Sequence, residues 1–199
     1  MPENNLDWIK GFLLDFSLSD GLSKSVISTK RKLSQMHGIF TDEKAFNNMV
    51  VSDNPMVYEF YEIGTPENAG DIAFGTSIIY HGKIGNEYFM TKGHFHTILE
   101  TAEVYYTLSG EGGMLIENPE GETVYYPLIA GKAVYVPQRF AHRSINTGNV
   151  PLVSFFAFRG DAGHNYATIE TKGFRKLVIQ GISGKPELID NPKWGTICP

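Results

Sequence analysis

Between residues 57 and 158 short apolar or alternating runs recur, separated by clusters of Gly, Asn and Pro. A period of two sends alternate side chains to a core and to water. These runs predict strands over 57–63, 72–80, 87–91, 102–108, 114–117, 122–128, 133–136, 142–145 and 152–158. The turns between them are expected at Tyr80-His81-Gly82-Lys83, Gly110-Glu111-Gly112-Gly113, Asn118-Pro119-Glu120-Gly121, Ala130-Gly131-Lys132 and Asn146-Thr147-Gly148-Asn149. Strands at this spacing give a mainly β fold, a sandwich or a small barrel. A helix is expected before them: Thr41-Asp42-Glu43 supplies an N-cap and an acidic first turn, and Ala45, Phe46, Met49 and Val50 form one apolar face. Lys30-Arg31-Lys32 reads as a solvated loop, and the tail after Gly173, with one apolar stretch over 176–179, as a wrap around the barrel or a partner.

Composition narrows the class. A chain of 199 residues suits one domain with a proper core. The expected division is an extension over 1–25, wrapping the core or touching a second copy, and a single barrel domain with its tail over 26–199. Seventeen Lys and Arg against 22 Asp and Glu leave a net charge of −5, which argues against a nucleic-acid partner. The one cysteine, Cys198, allows no intrachain disulfide and no cysteine zinc site, so a reducing, cytoplasmic setting is expected. No apolar run has the length of a membrane span or a signal-peptide core, so no membrane partner is expected.

The chemistry concentrates in Gly93-His94-Phe95-His96, followed by Glu100 and Glu103. On a strand, His94 and His96 project to one face while Phe95 packs on the other. Glu103, Tyr105 and Thr107 share a face of the next strand, which brings Glu103 beside the pair if that face looks inward. His142 opens a later strand and supplies a third imidazole. Three histidines and a carboxylate suit a divalent iron, manganese, nickel or zinc ion. Six residues separate Glu103 from Gly110, five lie between Gly131 and Pro137, and Asn146 stands four positions after His142. This spacing resembles the two motifs of the cupins, whose fold is a small jelly-roll-like β-barrel. Three features depart from it: Tyr88 and Arg139 stand where cupins usually carry glycine, and the usual gap of three or four residues after the second histidine would be met by Glu100, not Glu103. Glu100 is the rival carboxylate, but only Glu103 keeps the six-residue gap to Gly110.

A narrower resemblance runs from about Lys30 to Trp194. Thr91-Lys92-Gly93-His94-Phe95-His96, Ala102-Glu103-Val104-Tyr105, Gly110-Glu111-Gly112-Gly113-Met114, Val134-Tyr135-Val136-Pro137 and Ala141-His142-Arg143 carry its first part. Asp161-Ala162-Gly163-His164-Asn165-Tyr166, Lys172-Gly173-Phe174 and Asp190-Asn191-Pro192 continue it. Together they resemble the metal-dependent glucose-6-phosphate isomerases of archaea and some bacteria. That resemblance implies a cupin barrel with one or two short helices near the N-terminus, a homodimer, and a place in glycolysis and gluconeogenesis. It implies His94, His96, Glu103 and His142 as ligands of one divalent ion per subunit, iron(II) first among manganese, nickel and zinc. It implies phosphate contacts at Ser77, Thr91 and Gly93, and sugar contacts at Tyr58, Tyr105, His164 and Tyr166. Lys92 is expected to point away from the phosphate into solvent.

The reaction implied moves a hydrogen between C1 and C2 of the open-chain sugar. In one route, through a cis-enediol, Glu103 shuttles the proton; in the other, a hydride shift, Glu103 is a ligand only and His164 or Tyr166 moves the hydroxyl proton. Three other functions remain open from sequence: a cupin that binds a sugar phosphate without turnover, an iron-dependent dioxygenase, and an isomerase of a related sugar such as mannose 6-phosphate.

Overall fold

The computed structural model describes residues 7, 10–21, 27–63 and 68–194; Cys198 and much of the expected extension lie outside them. In chain order the elements are β1 (Thr29–Lys32), a 3-10 turn (Leu33–Met36), α1 (Glu43–Ser52), β2 (Met56–Ile63), β3 (Ile72–Ile79), β4 (Lys83–Ile84), β5 (Glu87–Tyr88) and β6 (Phe95–His96). There follow β7 (Glu103–Ser109), β8 (Glu111–Glu117), β9 (Thr123–Ile129), β10 (Ala133–Val136), β11 (Ala141–Asn146) and β12 (Leu152–Arg159). The chain closes with β13 (His164–Asn165), α2 (Ala167–Lys172), β14 (Lys176–Gln180) and β15 (Pro186–Asp190). A six-stranded sheet, β1-β2-β3-β12-β7-β10, faces a three-stranded one, β11-β8-β9, across a common core. The mainly β architecture with few helices is the one expected.

Alternation decides which side chains reach the interior. Along β7, Glu103, Tyr105 and Thr107 are buried while Val104 and Tyr106 face out. On β12, Phe156 stands opposite Tyr105 and Phe158 opposite Glu103, so the same inward row continues across the sheet. Both faces of β11 are buried because its free edge is not free: Met90 bridges to Ile145 and His94 to His142. α1 begins as its sequence dictates, with the Asp42 carboxylate accepting from the Ala45 amide at 2.9 Å, and it buries Phe46.

Several local expectations give way. Lys30-Arg31-Lys32 is not a loop but most of β1, paired antiparallel with β2. Gly112 and Gly113 lie within β8, not in a turn, because only Gly110 (φ +77°) is needed to reverse the chain. A Cβ on Gly112 would fall 2.1 Å from the Ile145 carbonyl oxygen, and one on Gly113 would fall 2.1 Å from the Tyr125 ring, so these glycines serve close strand packing. The tail forms a hairpin, β14 with β15, attached to β5. Of the expected extension, Phe12 stacks on Phe74 at 6.3 Å and Phe16 meets Phe155 edge-on at 5.8 Å, on the outer face of the six-stranded sheet.

Candidate metal centre and its cavity

Two short pairings assemble the histidines. His94 and His142 bridge antiparallel, with the His94 amide donating to the His142 carbonyl at 3.3 Å and the reverse bond at 3.1 Å. β6 pairs with β13 so that His96 stands opposite His164. The His94 ring centre consequently lies 4.4 Å from that of His142, 5.3 Å from His96 and 4.5 Å from His164. Glu103 enters from β7 with Oε2 at 3.1 Å from His96 Nε2 and 2.9 Å from His142 Nε2. One ligand atom from each of His94, His96, Glu103 and His142 falls within 4.8 Å of the others. Glu100 is exposed, in the turn before β7, and takes no part in this cluster.

The donor set fits a divalent cation. His94 Nε2 is buried with no hydrogen-bond partner, and the buried His142 Nε2 meets only the Glu103 carboxylate, a costly arrangement for polar atoms unless something else meets them. His96 Nδ1 lies 3.2 Å from the Gly163 carbonyl, which only accepts, so that nitrogen carries the proton. That leaves Nε2, which faces the Glu103 carboxylate at 3.1 Å, as the nitrogen available to a cation. Lone pairs facing one another inside a core are reconciled by a cation between them, and the outer bond to Gly163 orients the ligand as metal-bound imidazoles require.

The electrostatics agree. Burial pushes the Glu103 carboxyl up, but His142, His96 and His94 outweigh it and hold it well below the usual carboxylate range. Burial and the neighbouring His142 keep the His94 imidazole well below its ordinary value. Burial also lowers His164 to about 4 and raises the Tyr166 phenol to about 12, so at neutral pH the first is a neutral imidazole and the second a protonated donor.

A cleft with about 560 Å³ of space, open at its mouth, sits over these residues. Every expected substrate contact lines it: Tyr58, Ser77, Thr91, Gly93, Tyr105, His164 and Tyr166. Ser77 Oγ is buried and unpartnered, as are Ser154 Oγ and Thr107 Oγ1 across the neighbouring strands in register with it. Gly93 has φ +78°, and a Cβ there would lie 2.6 Å from Phe174 Cε2, so neither conformation nor space admits another residue.

Lys92 departs from expectation. Its side chain is only 21% exposed, lines the cleft, and its Nζ lies 2.8 Å from Glu170 Oε1 on α2. Phe60, Glu62, Phe156 and Phe158 also line the cleft and were not singled out. The signal was available for two of them, since Phe60 and Glu62 share strand parity with Tyr58.

A family model described as glucose-6-phosphate isomerase matches residues 30–194. The glucose-6-phosphate isomerase of Thermococcus litoralis is 47% identical to the chain over 184 residues, covering 92% of this chain and 95% of that protein. That of Pyrococcus furiosus is 44% identical, covering 92% and 96%. A putative glucose-6-phosphate isomerase 1 of Rhizobium meliloti is 37% identical, covering 87% and 82%.

Proposed function

The chain belongs to the glucose-6-phosphate isomerase family, and from that premise we propose that it interconverts D-glucose 6-phosphate and D-fructose 6-phosphate at the four-ligand centre. The observation that carries the reading is the placement of an anion-compatible set, Ser77, Thr91 and Gly93, in the same cleft as His94, Glu103 and His142.

His94, His96, Glu103 and His142 would hold the ion, iron(II) in the first instance. When bound, a divalent ion supplies Lewis-acid stabilisation of the negative charge that develops on the sugar oxygens at C1 and C2. The remaining work falls to the chain. The Ser77 hydroxyl and the Gly93 amide donate to the phosphate, while Tyr58, Tyr105 and Tyr166 fix the sugar hydroxyls. Glu103 then takes the proton from C2 and returns it to C1, while the hydroxyl proton passes from O2 to O1. A specific observation favours a second assignment: Glu103 Oε2 already faces two imidazole nitrogens, at 2.9 and 3.1 Å. In that version Glu103 is a ligand only, and His164 or Tyr166, both lining the cleft, moves the hydroxyl proton during a hydride shift.

The reading extends to a homodimer in the cytoplasm. Its support is an apolar outer face at the sheet edge, where Val104, Tyr106 and Tyr135 are exposed, the last at 65%. Light scattering at twice the chain mass is the expected result.

Conversion of fructose 6-phosphate, followed with a coupled dehydrogenase, tests the function. Turnover should vanish after chelation and return with iron, manganese, nickel or zinc, most fully with the native ion. Absence of turnover with every ion, with sugar phosphate still bound, would establish a binding protein instead; oxygen consumption would point to a dioxygenase.

A further inference from the structure

Arg143 follows the ligand His142 on β11 and has no part in the reaction as drawn above. It is 3% exposed, yet no ion pair reaches its guanidinium among the described residues. Glu87 and Glu117 act on it only from further away. A buried unpaired cation is costly, and proteins retain one where its charge is used.

Its contacts say where. Nε at 3.2 Å and Nη2 at 2.5 Å both donate to one acceptor, the Lys92 carbonyl. The guanidinium lies 4.5 Å from the centre of the Phe174 ring, and that ring closes over Gly93. In a trans peptide the carbonyl of one residue and the amide of the next point in opposite directions. Capture of the Lys92 carbonyl therefore turns the Gly93 N–H away from Arg143, toward the cleft that Gly93 lines. The neighbouring amides are already used: Thr91 N donates to the Ser144 carbonyl and His94 N to that of His142.

We propose that Arg143 is the positioning residue for the substrate phosphate, fixing the Lys92–Gly93 peptide with its amide toward the anion and placing a positive charge behind it. This is how a chain of net charge −5 recognises a dianion without a lysine-rich pocket. Arg143 touches neither substrate nor ion; it acts through one carbonyl and through its field. The two-donor fork is specific to arginine, so lysine is not an equivalent.

The inference rests on the phosphosugar reading, and the test separates the two because binding of inorganic phosphate needs no turnover. Calorimetry of inorganic phosphate with the metal-loaded wild type, Arg143→Lys and Phe174→Leu should show binding weakened about tenfold in the first variant and about threefold in the second. The KM for fructose 6-phosphate should rise by similar factors, with kcat within about twofold and metal content unchanged. Phosphate affinity equal to wild type in either folded variant overturns the proposal. So does a fall in kcat at unchanged KM, which is what a merely structural role produces. Should Arg143→Lys fail to fold, Phe174→Leu decides alone. Normal phosphate binding by a wild type that turns over no sugar would refute the isomerase reading and leave this one standing.

Discussion

Replacing Gly93 by alanine combines two penalties at one atom. The backbone there has φ +78°, a left-handed conformation that costs an L-residue about 1–2 kcal/mol. The added Cβ would also lie 2.6 Å from Phe174 Cε2 and 3.0 Å from the His142 carbonyl oxygen. Phe174 is fully buried and cannot swing aside, so an overpacking cost of about 1–3 kcal/mol is added. Gly131 provides the control. It has nearly the same conformation, φ +85°, but nothing within 4 Å of a built Cβ, so Gly131→Ala carries the conformational cost alone. In a chain of this size each kcal/mol moves the melting temperature by about 2–4 °C. Calorimetric melting should therefore drop by about 4–20 °C for Gly93→Ala and by clearly less for Gly131→Ala. Metal analysis supplies a second readout, because the His142 carbonyl that must yield is the acceptor of the His94 amide. Equal melting temperatures for the two variants, with full metal content in both, would refute the argument.

Three further outcomes follow from the site and its surroundings. Glu103→Gln should lower kcat by at least about 10²-fold and release metal, checked by turnover together with elemental analysis. A variant that kept its metal and a near-normal rate would remove Glu103 from proton transfer. Ser77→Ala deletes a buried hydroxyl that has no partner, so the melting temperature should hold or rise, while KM for fructose 6-phosphate increases about three- to tenfold. A loss of several degrees would show that the hydroxyl is bonded in the free protein. Glu59, on the outer face of β2, gives a pH test. Burial pushes its carboxyl up, but the hydroxyls of Tyr80 at 2.5 Å and Ser28 at 2.7 Å outweigh that and bring it below its ordinary 4.5. The folded state then binds this proton more weakly than the unfolded chain, so the contribution is complete above that value and disappears as pH falls through the lowered one. The difference in melting temperature between wild type and Glu59→Gln should be constant near neutrality and shrink in acid; a constant difference down to about pH 3 would contradict it.

The parts of the fold legible in the sequence are those that bury apolar side chains. β7 and β10 alternate because one face is exposed, β2, β3 and β12 read as apolar runs because most of their residues are buried, and α1 starts at the expected cap; the strand spans agree to within a few residues. β1 and β15 were missed for the opposite reason. Thr29–Lys32 is mostly exposed and all five residues of Pro186–Asp190 are exposed, so these strands are held by backbone pairing and leave no apolar period. α2 has six residues and no side-chain cap. The ligand positions were readable because the chemistry needs particular side chains at fixed spacing. Arg143 and Lys92 were not, since their roles depend on which carbonyl or carboxylate the fold brings near. Arg139, standing where cupins usually carry glycine, has φ +69°, so the backbone demand that explains the usual glycine is present and arginine meets it under strain.

The two ladders that gather the histidines also bear on how the chain reaches its native state. His94 and His96 are neighbours in any conformation, but His142 joins them only when β11 docks on the 90–94 segment, and Glu103 only when the interior of the barrel has closed. Contacts between segments so far apart in sequence carry a large loop-closure cost and mature late. An ion offered to the unfolded chain meets two imidazoles; one offered to the folded chain meets four ligands. Its stabilisation therefore belongs to the native side of the rate-limiting barrier. In a chevron plot metal should leave the refolding limb nearly in place and displace the unfolding limb downward, making the centre a lock on the finished molecule and not a nucleus for its folding.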